Sequence, residues 1–216
     1  MKTASWIWLD PIRHPDHQAS RYNGFSADDR TLSYGVVEFR RKWPLGRIPI
    51  EFVVQATADA QYRLHLNGRV VGRGPASAGG DFLCTEPLPW KYADRWTVPN
   101  PGPNPTFFAQ VQLGPQALCE FSAGRGGFRL EAVARFADGS EEQLVTDEAW
   151  EVRLQKAFQA PCQWDASRRS ASWEAACVLD SVWPGPEVAP IPPLAERTVF
   201  PETAGEIRLA AGETRC

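Results

Sequence analysis

A chain of 216 residues is long enough for one well-cored domain with an appendage but not for two full enzyme domains, and a core of that size needs no disulfides. Hydrophobic residues make up 43% and charged residues 23%, the balance of a soluble globular protein rather than of a disordered or membrane-embedded one. The 23 basic and 26 acidic side chains leave a net charge of −3, which argues against a nucleic-acid footprint, normally visible as a basic excess.

The first residues carry one lysine, Lys2, and a short hydrophobic run, Trp6-Ile7-Trp8-Leu9. That run is too short for an export leader, and no later one is long enough to span a bilayer. The expectation is a cytoplasmic protein with no membrane partner, with export left open. His14-Pro15-Asp16-His17 brings two imidazoles close in sequence, as cation sites often do. With no helix to align the rings and no obvious third ligand, it reads as an exposed loop, and no metal is expected. The five cysteines (Cys84, Cys119, Cys162, Cys177 and Cys216) are odd in number and lack C-x-x-C spacing. They read as reduced thiols, the alternative being one or two disulfides in an exported protein.

From residue 50 the dominant period is two. Ile50, Phe52, Val54 and Ala56 share one face of a first segment, and Tyr62, Leu64 and Leu66 one face of a second. Phe107, Ala109, Val111 and Leu113 repeat the pattern, as do Phe128, Leu130, Ala132, Ala134 and Phe136, and then Trp150, Val152 and Leu154. Such alternation predicts half-buried antiparallel strands. Asn67-Gly68 and Asp138-Gly139 fall where two-residue type I′ hairpin turns need two positive φ angles. No segment of ten residues has a convincing helical period, and the prolines and glycines fall mainly between strands. The expected fold is all-β, an antiparallel β-sandwich or jelly roll without internal repeats. From Val182 the composition shifts, with six prolines between Pro184 and Pro201. The expected organisation is a β-sandwich module over 1–183, a Pro-rich linker over 184–201, and the start of a following domain or tail over 202–216.

Chemistry-bearing motifs are sparse. Gly72-Arg73-Gly74-Pro75 follows a strand but opens no helix, and Gly124-Arg125-Gly126-Gly127 precedes a strand, so neither is a phosphate loop. Both read as places where backbones approach closely at a sheet edge. Asp28-Asp29, Glu141-Glu142 and Asp147-Glu148 are adjacent carboxylates in turn-like sequence, which reads as solvated decoration rather than the facing pair a glycosidase requires. No serine or cysteine has a nucleophile context, so no catalytic residue and no cofactor are assigned. Aromatics are the one surplus, with nine tryptophans. In Trp90-Lys91-Tyr92-Ala93-Asp94-Arg95-Trp96, three rings sit beside Lys91, Asp94 and Arg95 in a loop-rich stretch, the mix that stacks on a pyranose and bonds its hydroxyls. These six residues are the candidate carbohydrate contacts. The competing reading has the rings covering the sandwich edge or packing on a neighbouring domain.

The ordered set Trp6-Ile7-Trp8, Phe39 to Leu45, the Ala58 to Gly68 hairpin, the Val71 to Ala76 exit, Gly124 to Gly127 and Thr146-Asp147-Glu148-Ala149-Trp150 resembles the N-terminal region of bacterial α-L-rhamnosidases. Trp164 to Arg168 and Pro192 to Arg197 resemble its closing β segment and connector, so the resemblance covers most of residues 5–200. It implies a jelly-roll sandwich that is an accessory part of an inverting glycoside hydrolase, whose catalytic acids lie in a separate helical barrel absent from this chain. The implied partners are that downstream catalytic domain and rhamnose-bearing glycans. Gly80 to Thr85 departs from the aromatic-Asp strand of the relatives, so no sugar or calcium site is carried over to it. Two other roles stay open: that of the rhamnosidase itself with its barrel missing from this chain, and that of a spacer or oligomerisation domain.

Overall fold

The computed structural model describes residues 2–15, 34–59, 61–75, 91–99, 101–113, 126–160, 163–180, 186–190 and 193. Its elements are strands: β1 (Ile7–Trp8), β2 (Gly35–Lys42), β3 (Glu51–Ala58), β4 (Gln61–Leu66), β5 (Arg69–Gly74), β6 (Tyr92–Pro99), β7 (Thr106–Leu113) and β8 (Phe128–Arg135). There follow β9 (Glu141–Val145), β10 (Glu151–Gln155), β11 (Phe158–Ala160), β12 (Gln163–Trp164), β13 (Glu174–Ala175), β14 (Cys177–Val178) and β15 (Glu187–Val188). Among the described residues there is no α-helix and no membrane-spanning helix.

Two large sheets form a β-sandwich. The first runs β14-β1-β8-β3-β6-β15, with β9 also on β8, and the second runs β13-β10-β2-β7-β4-β5; β11 and β12 make a separate two-stranded ribbon. Pairing is antiparallel except for β15, which lies parallel to β6. The Pro-rich segment therefore adds a short strand to the first sheet: Glu187 N–H donates to the Lys91 carbonyl and Ala189 N–H to the Ala93 carbonyl. β3 and β4 are consecutive in sequence but belong to different sheets, so the chain changes layer at Asp59, which is fully buried.

The apolar alternation lands where the sequence places it. Phe52, Val54, Tyr62, Leu64, Phe107, Val111, Phe128 and Leu130 are all buried between the sheets. Two of the expected positions differ: Ile50 lies before β3 and is exposed, and Leu154 is only half-buried. Two of the tryptophans, Trp8 and Trp150, join three phenylalanines in a spine through this core. Ring centroids step from Trp8 to Phe39 (5.7 Å), from Phe39 to Phe128 (5.1 Å), from Phe128 to Trp150 (5.9 Å) and from Trp150 to Phe107 (6.5 Å). Rings in tilted or edge contact at these distances gain beyond the area they bury.

The two expected hairpin turns part company. Asn67 (φ 52°) and Gly68 (φ 77°) both take the left-handed conformation that a type I′ turn demands. The Asn67 side chain also accepts from Thr106 N–H and donates to the Pro101 carbonyl, each at 2.8 Å. At the β8–β9 connection only Gly139 has positive φ, so this is not a type I′ turn. Gly139 N–H donates to the Phe136 carbonyl and Phe136 N–H to the Ser140 carbonyl, the pattern of a type I turn with a glycine bulge. The Asp138 carboxylate accepts from both the N–H and the hydroxyl of Ser140, which favours this longer form.

Candidate functional site

The stretch expected to be a carbohydrate-contacting loop is mostly strand: β6 takes up Tyr92, Asp94, Arg95 and Trp96, and Lys91 immediately precedes it. Trp90 lies outside the described residues. Strand alternation splits the rest, because successive side chains point to opposite faces. Asp94 and Trp96 face the space between the sheets and Arg95 faces solvent, while Tyr92 is half-buried.

Lys91 and Asp94 are interior residues rather than surface hydrogen-bonding groups. Lys91 is 4% exposed and donates to the Asp59 carbonyl oxygen; burial pulls its pKa down to about 8, with the Asp59 charge partly opposing the shift. The Asp59 carboxylate in turn accepts from Gly126 N–H at 3.1 Å. Asp94 is 1% exposed, and its Oδ2 lies 2.8 Å from the Tyr62 hydroxyl, which also approaches the Ala56 carbonyl at 3.0 Å. Burial, reinforced by the Asp94 charge, holds the Tyr62 phenol protonated well beyond its ordinary range. Sequence spacing could not reveal these roles, since a charged residue in a strand reads as outward-facing unless its buried partner is known.

Trp96 sits in an open cleft where the edge strand β5 of one sheet faces β6 of the other. This cleft, of about 690 Å³, is bounded by Arg69, Val71, Trp96, Val98, Pro99 and Pro101. The glycines of the Gly-Arg-Gly-Pro exit are explained here. A Cβ on Gly72 would come within 2.7 Å of the Trp96 ring, and one on Gly74 would overlap the Asp94 carboxylate, so both glycines permit close packing of β6 side chains on β5. The expected close backbone approach at a sheet edge is therefore present at Gly72 and Gly74. Trp96 Nε1 is buried without a hydrogen-bond acceptor among the described residues, and the ring meets Tyr62 edge-on at 6.1 Å.

A second cleft, of about 500 Å³, opens at the end of the second sheet where β2 begins and β10 ends; Tyr34, Lys156, Phe158, Arg168 and Arg169 line it. Among the described residues, neither cleft has an aspartate or glutamate in its wall. The outer face of the second sheet carries a nearly buried carboxylate, Glu38, which accepts from Arg153 Nε at 2.6 Å and from the side-chain amides of Gln110 and Gln155. Trp173 lies between the Arg40 and Arg153 guanidinium groups, at 4.2 and 4.3 Å. Glu141 and Glu142 behave as surface groups, Glu141 pairing with Arg135 and Glu142 lying 4.0 Å from Arg47, while Asp28-Asp29 lies outside the described residues. His14 bonds Glu174 at 2.8 Å, and among the described residues no group of His, Cys, Asp and Glu is arranged to hold a metal ion. Cys177 is a free thiol; the other four cysteines lie outside the described residues.

No protein-family model matches the chain, and no curated protein matches it in sequence. Solved structures do share its fold. The Pleurotus ostreatus lectin in its apo form is 22% identical over 82% of this chain, with a TM-score of 0.51 and 41% of the lectin covered. The same organism's lectin in complex with GalNAc is 23% identical, again with a TM-score of 0.51. The α-L-rhamnosidase from Dictyoglumus thermophilum is 17% identical over 82% of this chain, with a TM-score of 0.51 and 21% of the enzyme covered. The chain thus spans about two fifths of the lectin and one fifth of the rhamnosidase, and has the β-sandwich fold found within both.

Proposed function

We propose that this chain is a non-catalytic β-sandwich module of an α-L-rhamnosidase-like glycoside hydrolase, acting as scaffold for a downstream catalytic domain and making a weak carbohydrate contact of its own. The observation that carries this reading is the Trp96 cleft: a ligand-sized concavity walled, among the described residues, by the Trp96 ring, the Arg69 cation and no carboxylate. Glycoside hydrolysis requires two carboxyl groups facing each other across the sugar. The buried carboxylates Glu38, Asp59 and Asp94 are instead engaged in internal hydrogen bonds. The ordered motifs resembling rhamnosidase N-terminal regions, and a fold shared with a lectin and with part of a rhamnosidase, support the same reading.

In this reading the contacts differ from those expected of the whole Trp90 to Trp96 stretch. Trp96 supplies the ring and Arg69 the charge, while Lys91 and Asp94 hold the frame. The chain alone is expected to release no more aryl alcohol from an aryl α-L-rhamnoside than buffer does, and L-rhamnose is expected to shift its tryptophan fluorescence with a Kd of about millimolar. Trp96→Ala should abolish that shift. Turnover that disappears when one carboxylate is mutated would overturn the non-catalytic reading. No fluorescence response up to tens of millimolar sugar, or a Trp96→Ala response equal to the parent's, would remove the carbohydrate contact and leave the scaffold role.

A further inference from the structure

We propose that the second cleft is a binding site for an anionic saccharide, one whose ring carries a carboxylate. This deepens the carbohydrate reading by adding a subsite distinct from the Trp96 cleft and naming its ligand class, and it rests on that reading for the sugar ring but not for the charge. Three cations reach the cleft from separate segments: Lys156 from the β10–β11 turn, and Arg168 and Arg169 from the stretch after β12. Among the described residues, neither Lys156 nor Arg169 forms an ion pair. Among the described residues the one carboxylate paired with Arg168 is Asp165, at 3.6 Å, and that carboxylate already accepts from the Ser167 N–H and hydroxyl.

In a chain of net charge −3, three cations around one concavity form a local reversal of sign. Their mutual repulsion is relieved by a bound anion, and concave walls focus the field that attracts one. The rest of the wall favours more than a bare ion. Tyr34 and Phe158 supply aromatic surface and Leu154 an aliphatic one, against which the apolar face of a pyranose can lie. Gln155 is a fixed part of the wall: its Nε2 donates to Glu38, and its Oε1 accepts from Ala157 N–H and the Ser170 hydroxyl. The volume of about 500 Å³ admits one or two sugar rings. Guanidinium groups bind carboxylates through paired N–H donors, a geometry available to Arg168 and Arg169 with Lys156 as a point charge.

The test is an NMR or calorimetric titration of the chain with sodium glucuronate, with glucose as the ring lacking the carboxylate and sodium sulfate as an anion lacking the ring. Glucuronate is expected to bind at about millimolar strength, at least about tenfold more tightly than either control, and to weaken as salt is raised toward molar. The double variant Lys156→Gln/Arg169→Gln is expected to lose about tenfold or more in glucuronate affinity with an unchanged melting temperature, both side chains being exposed. Should that variant fail to fold, Lys156→Gln alone carries the same test. Equal binding of glucose would show that charge is not read, equal binding of sulfate that the ring is not read, and undiminished binding by the folded variant that the site lies elsewhere; each overturns the proposal. Because the L-rhamnose response is tied to Trp96, failure of glucuronate with that response intact removes only this proposal. Glucuronate binding without an L-rhamnose response removes only the Trp96 contact.

Discussion

At the scale of single residues, burial decides which charged side chains can act on a ligand and which serve the fold. Lys91 is the sharpest case, an ammonium group taken almost entirely out of water near the Asp59 carbonyl and the Asp59 charge. Its folded pKa of about 8 lies below the ordinary 10.5, so between those values the unfolded chain holds a proton that the folded chain has released. Stability contributed at this position therefore rises as pH increases through that window, and the penalty is fully present below pH about 8. Tyr62 acts in the opposite sense: its folded phenol keeps its proton well beyond the ordinary 10.0, so its contribution falls as pH rises past that value. Urea unfolding of the parent and of Lys91→Met, followed from pH 7 to just below 10, should show the parent gaining on the variant as pH rises. Parallel curves would show that the ammonium group is solvated.

At the scale of elements, the two hairpins use glycine differently, and the difference can be measured. Gly68 has φ 77° with no heavy atom within 4 Å of where a Cβ would stand, so any cost of adding a side chain there is backbone strain and not collision. Gly68→Val is expected to destabilise the domain by about 1–2 kcal/mol, while Gly68→Asn, whose side chain tolerates the left-handed region, should cost clearly less. Equal costs for the two variants in equilibrium unfolding would exclude the type I′ strain argument. The β4–β5 hairpin also shows why the Gly-Arg-Gly-Pro exit resembled a binding loop in sequence. Glycine provides close backbone approach to a phosphate and to an indole alike, and only the neighbouring strand shows that here the approaching group is Trp96.

At the scale of the whole molecule, the two sheets are tied by aromatic rings that belong to neither alone. Trp150 touches Phe107 of the second sheet and Phe128 of the first, and its indole N–H donates to the Val145 carbonyl at 2.9 Å. Trp150→Ala removes a fully buried ring and leaves that carbonyl without its donor. The expected cost is about 3–5 kcal/mol, a large share of the roughly 5–15 kcal/mol that holds a domain together, and a melting temperature lower by roughly 6–20 °C. Trp150→Phe should recover part of the packing but not the hydrogen bond. A melting temperature unchanged by Trp150→Ala would show that the sheets do not depend on this contact.

The sequence by itself determined the all-β class, the buried faces of β3, β4, β7 and β8, and the Asn67-Gly68 turn. Those features depend on local rules: period-two alternation and the steric demands of positive φ. The resemblance to rhamnosidase N-terminal regions was legible in the same way, from the order of short motifs. What only the tertiary structure decided depends on partners far apart in the chain. Asp138-Gly139 carries the same turn signal as Asn67-Gly68, yet hydrogen bonding of Asp138 to Ser140 favours a bulged connection. Trp8 and Trp150 joined three phenylalanines in a spine between the two layers, and the candidate loop became strand β6, turning Lys91 and Asp94 into buried structural groups and leaving Trp96 in a cleft. The basic cleft joins Tyr34 to Arg169 across the fold. No local pattern encodes it, because Arg168 and Arg169 meet Lys156 only when the chain after β12 returns to β10, where Ala171 N–H donates to the Leu154 carbonyl, and Tyr34 joins them only through β2–β10 pairing.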